Sequence, residues 1–164
     1  MFPENCSFAV RMKIILIMLL PFSLFSQTTE VILTKSISDA SFNESWAVEW
    51  KVNENNYQPD TSVLKELKKR VVGNDIHFLV YLGTWCDDSK IHVPAWMKIS
   101  SLLHLKSEFI GVNRNKECPL SDCSDWNIVY LPTIVVVKEG KEIGRIVETP
   151  SKSVEADLLK IMSK

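Results

Sequence analysis

The sequence predicts an α/β fold with a mixed central sheet flanked by helices. Three observations lead there. "IHFLVYL" (Ile76 to Leu82) is a short continuous apolar run, the type expected of a central strand buried on both faces. Strand-like and helical patterns alternate through the middle of the chain, which argues for a parallel core. Near the C-terminus "TIVVVK" and "EIGRIVE" are β-rich runs separated by "EGK" (Glu139 to Lys141), a hairpin signal that adds antiparallel strands.

In chain order, "EVILTKSI" (Glu30 to Ile37) has strand-like β-branched character, and "DASFNESWAVEWKV" (Asp39 to Val52) reads as a helix with Phe42, Trp46 and Trp50 on one face. "NENNYQPD" (Asn53 to Asp60) is polar, contains a proline and reads as a loop. Asp60 or Thr61 then caps a helix whose Val63, Leu64, Leu67 and Val71 recur at helical spacing, and Gly73-Asn74 ends it. After the Ile76–Leu82 strand, Ser89 to Leu105 fits a helix bent by Pro94. "EFIGVN" (Glu108 to Asn113) is the next strand, and Cys118 to Ile128 reads as a short helix with Pro119 in its first turn. After the hairpin, a helix begun at Ser151 or Ser153 closes the chain.

The 164 residues suit one domain with a core: 46% are hydrophobic and 24% charged. Lys plus Arg number 19 against 20 Asp plus Glu, a formal charge of −1 that gives no reason to expect nucleic acid as a partner. The first residues differ in kind. Arg11 and Lys13 precede an apolar run from Ile14 to Leu20 that continues past Pro21 to Phe25, the pattern of a secretory leader. The run falls short of the ~20 residues a spanning helix needs, so cleavage after Ser26, with no stable membrane span afterwards, is the expectation. Met12 is an alternative start. The organisation expected is therefore a signal peptide over 1–26, an N-terminal extension over 27–60 and a folded domain over 61–164, exported to the periplasm or outside the cell. Of four cysteines, Cys6 leaves with the leader and Cys86, Cys118 and Cys123 remain in an oxidising compartment.

Trp85-Cys86-Asp87-Asp88-Ser89 stands at the strand-to-helix junction, Pro94 follows eight residues after Cys86, Leu131-Pro132-Thr133 opens the later hairpin, and "GKEIGR" (Gly140 to Arg145) carries its turn and second strand. Taken together, over about Leu64 to Lys160, these landmarks resemble the thioredoxin-like superfamily: the W-C-x-x-C junction, the kink proline, the cis-proline loop facing the active-site cysteine, and the hairpin. The resemblance implies a thioredoxin-like three-layer sandwich and thiol-disulfide exchange on protein or small-molecule thiols and disulfides, without a cofactor or metal. On physical grounds, a thiol at a helix start sits among unsatisfied backbone N–H groups and the positive end of the helix dipole, which favour the attacking thiolate, while Asp87 and Asp88 oppose it.

Two departures from the family pattern matter. Ser89 occupies the place of the resolving cysteine, so Cys86 is expected to act as a monothiol that stops at the mixed disulfide until another thiol arrives. Two readings stand for Ser89: a hydroxyl bonded to the Cys86 sulfur, with a catalytic part, or a helix cap. Val80 stands where many thioredoxins hold a buried carboxylate. Cys118 and Cys123 admit three readings: a structural disulfide, a resolving pair, or inert thiols. In a straight helix they are too far apart to bond, so a disulfide requires a bent segment. Trp85, Leu131, Pro132 and Thr133 are expected to bind an extended client segment as an added strand does. The competing expectation is a non-catalytic peptide- or protein-binding module using the same surface. Peroxide reduction is not expected, because Thr84 stands too close to Cys86 for the threonine that such enzymes place ahead of theirs.

Overall fold

The computed structural model describes residues 32–118 and 122–164. The leader run, Glu30 and Pro119 lie outside the described residues. One five-stranded sheet runs in the order β1-β3-β2-β4-β5, built from Ser36–Ile37 (β1), Ile76–Leu82 (β2), Ser107–Gly111 (β3), Thr133–Lys138 (β4) and Lys141–Val147 (β5). β2 and β3 are parallel, whereas β1 on β3, β4 on β2 and β5 on β4 are antiparallel, which is the mixed sheet expected. The helices are Val48–Asn56 (α1), Thr61–Val71 (α2), Asp87–Leu103 (α3), Asp122–Asp125 (α4) and Val154–Ile161 (α5).

The apolar run of β2 explains the layering. Phe78, Val80 and Leu82 face a large core completed by Trp50 of α1, Leu67 of α2, Trp96 of α3 and Leu158 of α5. Leu79 and Tyr81 point the other way, into a smaller cluster with Cys123, Ile128 and Leu131, the layer supplied by α4 and the chain after it. Successive side chains of a strand alternate between faces, so a run apolar at every position needs cover on both. Local chemistry sets the element ends. The Asp60 carboxylate accepts from the Ser62 and Val63 N–H groups at the start of α2, and Ser153 Oγ accepts from Ala156 N–H at the start of α5. Glu139 and Gly140 both take positive φ, 51° and 75°, as a two-residue hairpin loop requires.

The upstream segment departs from the sequence reading. The helix expected over Asp39 to Val52 is broken into short 3-10 turns at Asp39–Asn43 and Ser45–Ala47, and α1 then continues through Asn53–Asn56, read above as loop. Aromatic packing sets this path. Phe42 meets Phe109 of β3 edge-on, with centroids 5.1 Å apart, and Trp46 and Trp50 close on Phe42 at 5.5 and 5.9 Å. Beyond Val52, side-chain bonds to other helices hold the added turn: Asn53 Nδ2 donates to the Lys90 carbonyl at 2.9 Å, and Tyr57 Oη donates to Glu155 Oε2 at 2.6 Å. Residues 32–60 thus share the sheet and the larger core with the chain from residue 61 onward.

Glu155 is buried, 3% exposed, and its second oxygen accepts the Asp60 N–H at 3.0 Å. Burial first, then the Glu155 hydrogen bond and charge, hold the Tyr57 phenol above its ordinary range, so it stays a donor well into alkali. Tyr57→Phe strips a hydrogen bond from this buried carboxylate and is expected to lower unfolding free energy by about 1–3 kcal/mol, read as a lower urea midpoint at unchanged slope.

Candidate active site

The loop that carries Cys86 begins where β2 ends. Gly83 N–H donates to Ser89 Oγ at 3.2 Å, and Cys86 N–H donates to the Gly83 carbonyl at 3.0 Å, so the turn from strand to helix closes on itself. A side chain at Gly83 has no room: a Cβ there would lie 2.9 Å from Trp85 Cε2 and 3.1 Å from Cys86 Cβ. Cys86 is the N-cap of α3, in extended geometry, half-buried, and the free cysteine among the described residues. Its Sγ donates to the Leu131 carbonyl at 3.4 Å. The Leu131–Pro132 peptide bond is cis. Thr133 Oγ1 donates to the Tyr130 carbonyl at 2.7 Å, and Glu148 N–H donates to the Pro132 carbonyl at 2.8 Å, fixing the proline loop from both sides.

The structure therefore brings Trp85, Cys86, Leu131, Pro132 and Thr133 together. Ser89 lies below them, fully buried, with its oxygen spent on the Gly83 N–H. That role is neither of the two weighed from sequence: the hydroxyl ties the end of β2 to the first turn of α3. Asp87 points into solvent with its side chain 91% exposed and pairs with Lys90 at 3.1 Å, so its charge is largely screened by water. Cys118 and Cys123 are joined in a disulfide with Cα atoms 5.9 Å apart. α4 starts only at Asp122, so Cys118 lies outside the helix, and the helical-rise objection does not apply. Cys123 N–H also donates to Cys118 Sγ at 3.0 Å. Both cysteines pack on the same small cluster as Trp85 and Cys86.

Sequence reasoning missed a cationic flank. Trp85 Nε1 donates to the Val112 carbonyl at 2.9 Å, and its ring is covered by the Arg114 guanidinium at 4.8 Å and by Lys116 Nζ at 5.4 Å. The signal was legible: β3 runs parallel to β2, so basic residues just past the end of β3 emerge beside the end of β2. Val129 and Tyr130, 50% and 53% exposed, add an apolar surface next to the proline loop. A concavity of about 890 Å³ is lined by α2 residues and Leu159, and Cys86 is not among its lining residues. Among the described residues, no group of three or more His, Cys, Asp or Glu could hold a metal ion, and no helix is long and apolar enough to cross a membrane.

Ser89→Ala leaves the Gly83 N–H without its acceptor in a buried turn. A loss of about 1–3 kcal/mol in chemical denaturation is expected. Cys86 should still be alkylated, as read by peptide mass spectrometry.

The sequence model of the family described as Thioredoxin matches residues 58–163. Mitochondrial thioredoxin-2 of Schizosaccharomyces pombe is 33% identical over 92 residues, which cover 56% of this chain and 66% of that protein, just under two thirds of its length. A crystal structure of a protein of unknown function from Pseudomonas aeruginosa superposes with a TM-score of 0.53 at 19% identity, covering 77% of this chain and 86% of that one. An HIV epitope-scaffold superposes with a TM-score of 0.52 at 19% identity, covering 77% and 87%. At those identities the superpositions speak to the fold alone, whereas the family model spans most of the chain, including Cys86, Pro94 and Pro132. The chain belongs to the thioredoxin family.

Proposed function

We propose that this protein is a thiol-disulfide oxidoreductase that works through one nucleophilic sulfur, Cys86. The observation that carries the reading is the half-buried Cys86 thiol at the start of α3, 3.4 Å from the Leu131 carbonyl of the cis-proline loop. The exchange balances without a cofactor. The Cys86 thiolate attacks one sulfur of a client disulfide, forming a Cys86–client disulfide and releasing the other client sulfur as a thiolate. An external thiolate then attacks the client sulfur of that mixed disulfide, forming a disulfide between client and external thiol and releasing Cys86 as a thiolate again. Ser89 stands where an internal second thiol would act, so the second step needs a thiol from outside. The exposed Val129 and Tyr130 offer apolar area to an extended client, whose backbone would align along residues 130–132.

The working place proposed is outside the cytoplasm, in the cell envelope or beyond it. The leader-like run from Arg11 to Phe25 supports that, and so does the Cys118–Cys123 disulfide, since such bonds persist in oxidising compartments. A second reading, a non-catalytic module that holds peptides, draws on the same exposed Val129 and Tyr130.

The two readings separate on the sulfur. A client with a strained or exposed disulfide should form a dithiothreitol-sensitive adduct with the wild-type chain and none with Cys86→Ala; peptide binding that survives this substitution, with no adduct in the wild type, would establish the module instead. Ser89→Cys places a second sulfur three residues along the helix, where side chains are neighbours about 5–6 Å apart at Cβ. Insulin reduction with dithiothreitol should then rise at least about tenfold over the wild type, because the mixed disulfide gains an internal exit.

A further inference from the structure

α3 lacks a rung directly above its reactive turn. Proline has no N–H, so position 94 gives no hydrogen bond to the carbonyl four residues back, that of Lys90. The turn below that gap carries the sulfur: Lys90 N–H donates to the Cys86 carbonyl at 3.1 Å. A buried or half-buried carbonyl left without a donor carries a desolvation cost, and a helix lacking a rung bends there. Here the donor comes from a different element, because Asn53 Nδ2 of α1 reaches the Lys90 carbonyl at 2.9 Å. Asn53 is half-buried and lies upstream of residues 58–163, the part that matches the family.

We infer that Asn53 is a positioning residue for Cys86: it replaces, from α1, the hydrogen bond that Pro94 removes, and so holds the Cys86 turn at its working distance from Leu131. The upstream chain grips the same loop a second time. Leu33 N–H donates to Thr84 Oγ1 at 3.4 Å, and the Lys35 carbonyl accepts from Gly111 N–H at 2.9 Å. Gly111 has to be glycine for this, since a Cβ there would lie 2.5 Å from the Leu33 carbonyl oxygen. Residues 32–56 therefore act on the reaction through the placement of the thiol and need not touch the client. The inference rests on the reading of Cys86 as the reacting sulfur.

The test is a double-mutant cycle in the full chain: wild type, Asn53→Ala, Pro94→Ala and the pair. The readouts are the rate at which Cys86 exchanges with the aromatic disulfide dithionitrobenzoate, followed across a pH series and assigned to Cys86 by peptide mass spectrometry, and the thermal midpoint. Asn53→Ala alone should slow the exchange about fivefold, the rate equivalent of one net hydrogen bond, and displace its pH profile. In the Pro94→Ala background a backbone N–H at position 94 can serve the Lys90 carbonyl, and the same change should alter the rate by less than about twofold. Equal effects in both backgrounds, or none in either, overturn the inference. Should Asn53→Ala fail to fold, Asn53→Asp keeps the side-chain shape, removes the donor and is held to the same two outcomes. A wild-type chain whose Cys86 exchanges with the small disulfide but never joins a protein client would sink the proposed function and leave the part played by Asn53 to be read from the cycle.

Discussion

The site depends on the antiparallel register of β2 and β4, in which Tyr81 pairs with Thr133. Antiparallel neighbours place the exit of one strand beside the entrance of the other. The loop after β2 carries Cys86 and the loop before β4 carries Leu131 and Pro132, so the register brings the two loops to the same end of the sheet. A slip of one residue would turn one strand over against the other, sending Ile134 and Val136 to the small cluster and Val135 and Val137 to the large one. The cost of that reversal keeps the two loops at one end of the sheet, the frame within which the Cys86 turn is placed. The two apolar clusters are therefore a condition of the chemistry as well as of the fold.

On this frame the first residues of α3 meet several demands together. The chain must turn sharply after Leu82, and the Gly83 N–H and carbonyl both bond to residues of the next turn, Ser89 and Cys86. Ser89 is buried for that purpose, so its position is set by the backbone as much as by any thiol chemistry. Trp85 is fastened at its indole N–H and roofed by two cations, which leaves its position little freedom. Most of the loop is held by these ties, and Cys86 stays half-buried against the proline loop.

Much of this was legible in the sequence, for identifiable reasons. β2, α2 and the β4–β5 hairpin follow from strong local signals: a doubly apolar run, an aspartate cap, and Glu139-Gly140 at the turn. The junction at Cys86 and the loop at Pro132 were legible through the order of landmarks that resembles the thioredoxin-like superfamily. The path of residues 39–56 was not, because aromatic spacing is the same whether Phe42, Trp46 and Trp50 lie on one helix or are drawn individually onto Phe109. Nor was the tie from Asn53 to Lys90, which joins residues 37 apart and leaves no periodic trace. The Ser89 hydroxyl was assigned to the sulfur or to a cap because sequence order cannot tell a neighbour in the turn from a neighbour in the strand. On α3, Ile91 and Leu102 face solvent although apolar, and the buried Val93, Trp96 and Ile99 set its orientation.

The short strand β1 has a consequence for how copies of this molecule meet. Without β1, β3 would be a margin of the sheet with Phe109 and Ile110 buried on its two faces, a template that a foreign strand could extend. Pairing with Ser36 and Ile37, and the close approach of Leu33 to Gly111, occupy that margin from within the same chain. The opposite margin, β5, is guarded by ionic side chains, Lys141, Glu142 and Arg145, which make it a poor seed for fibrous growth. Losing residues 32–37 would bare an apolar margin, so those few residues also serve as protection against self-association.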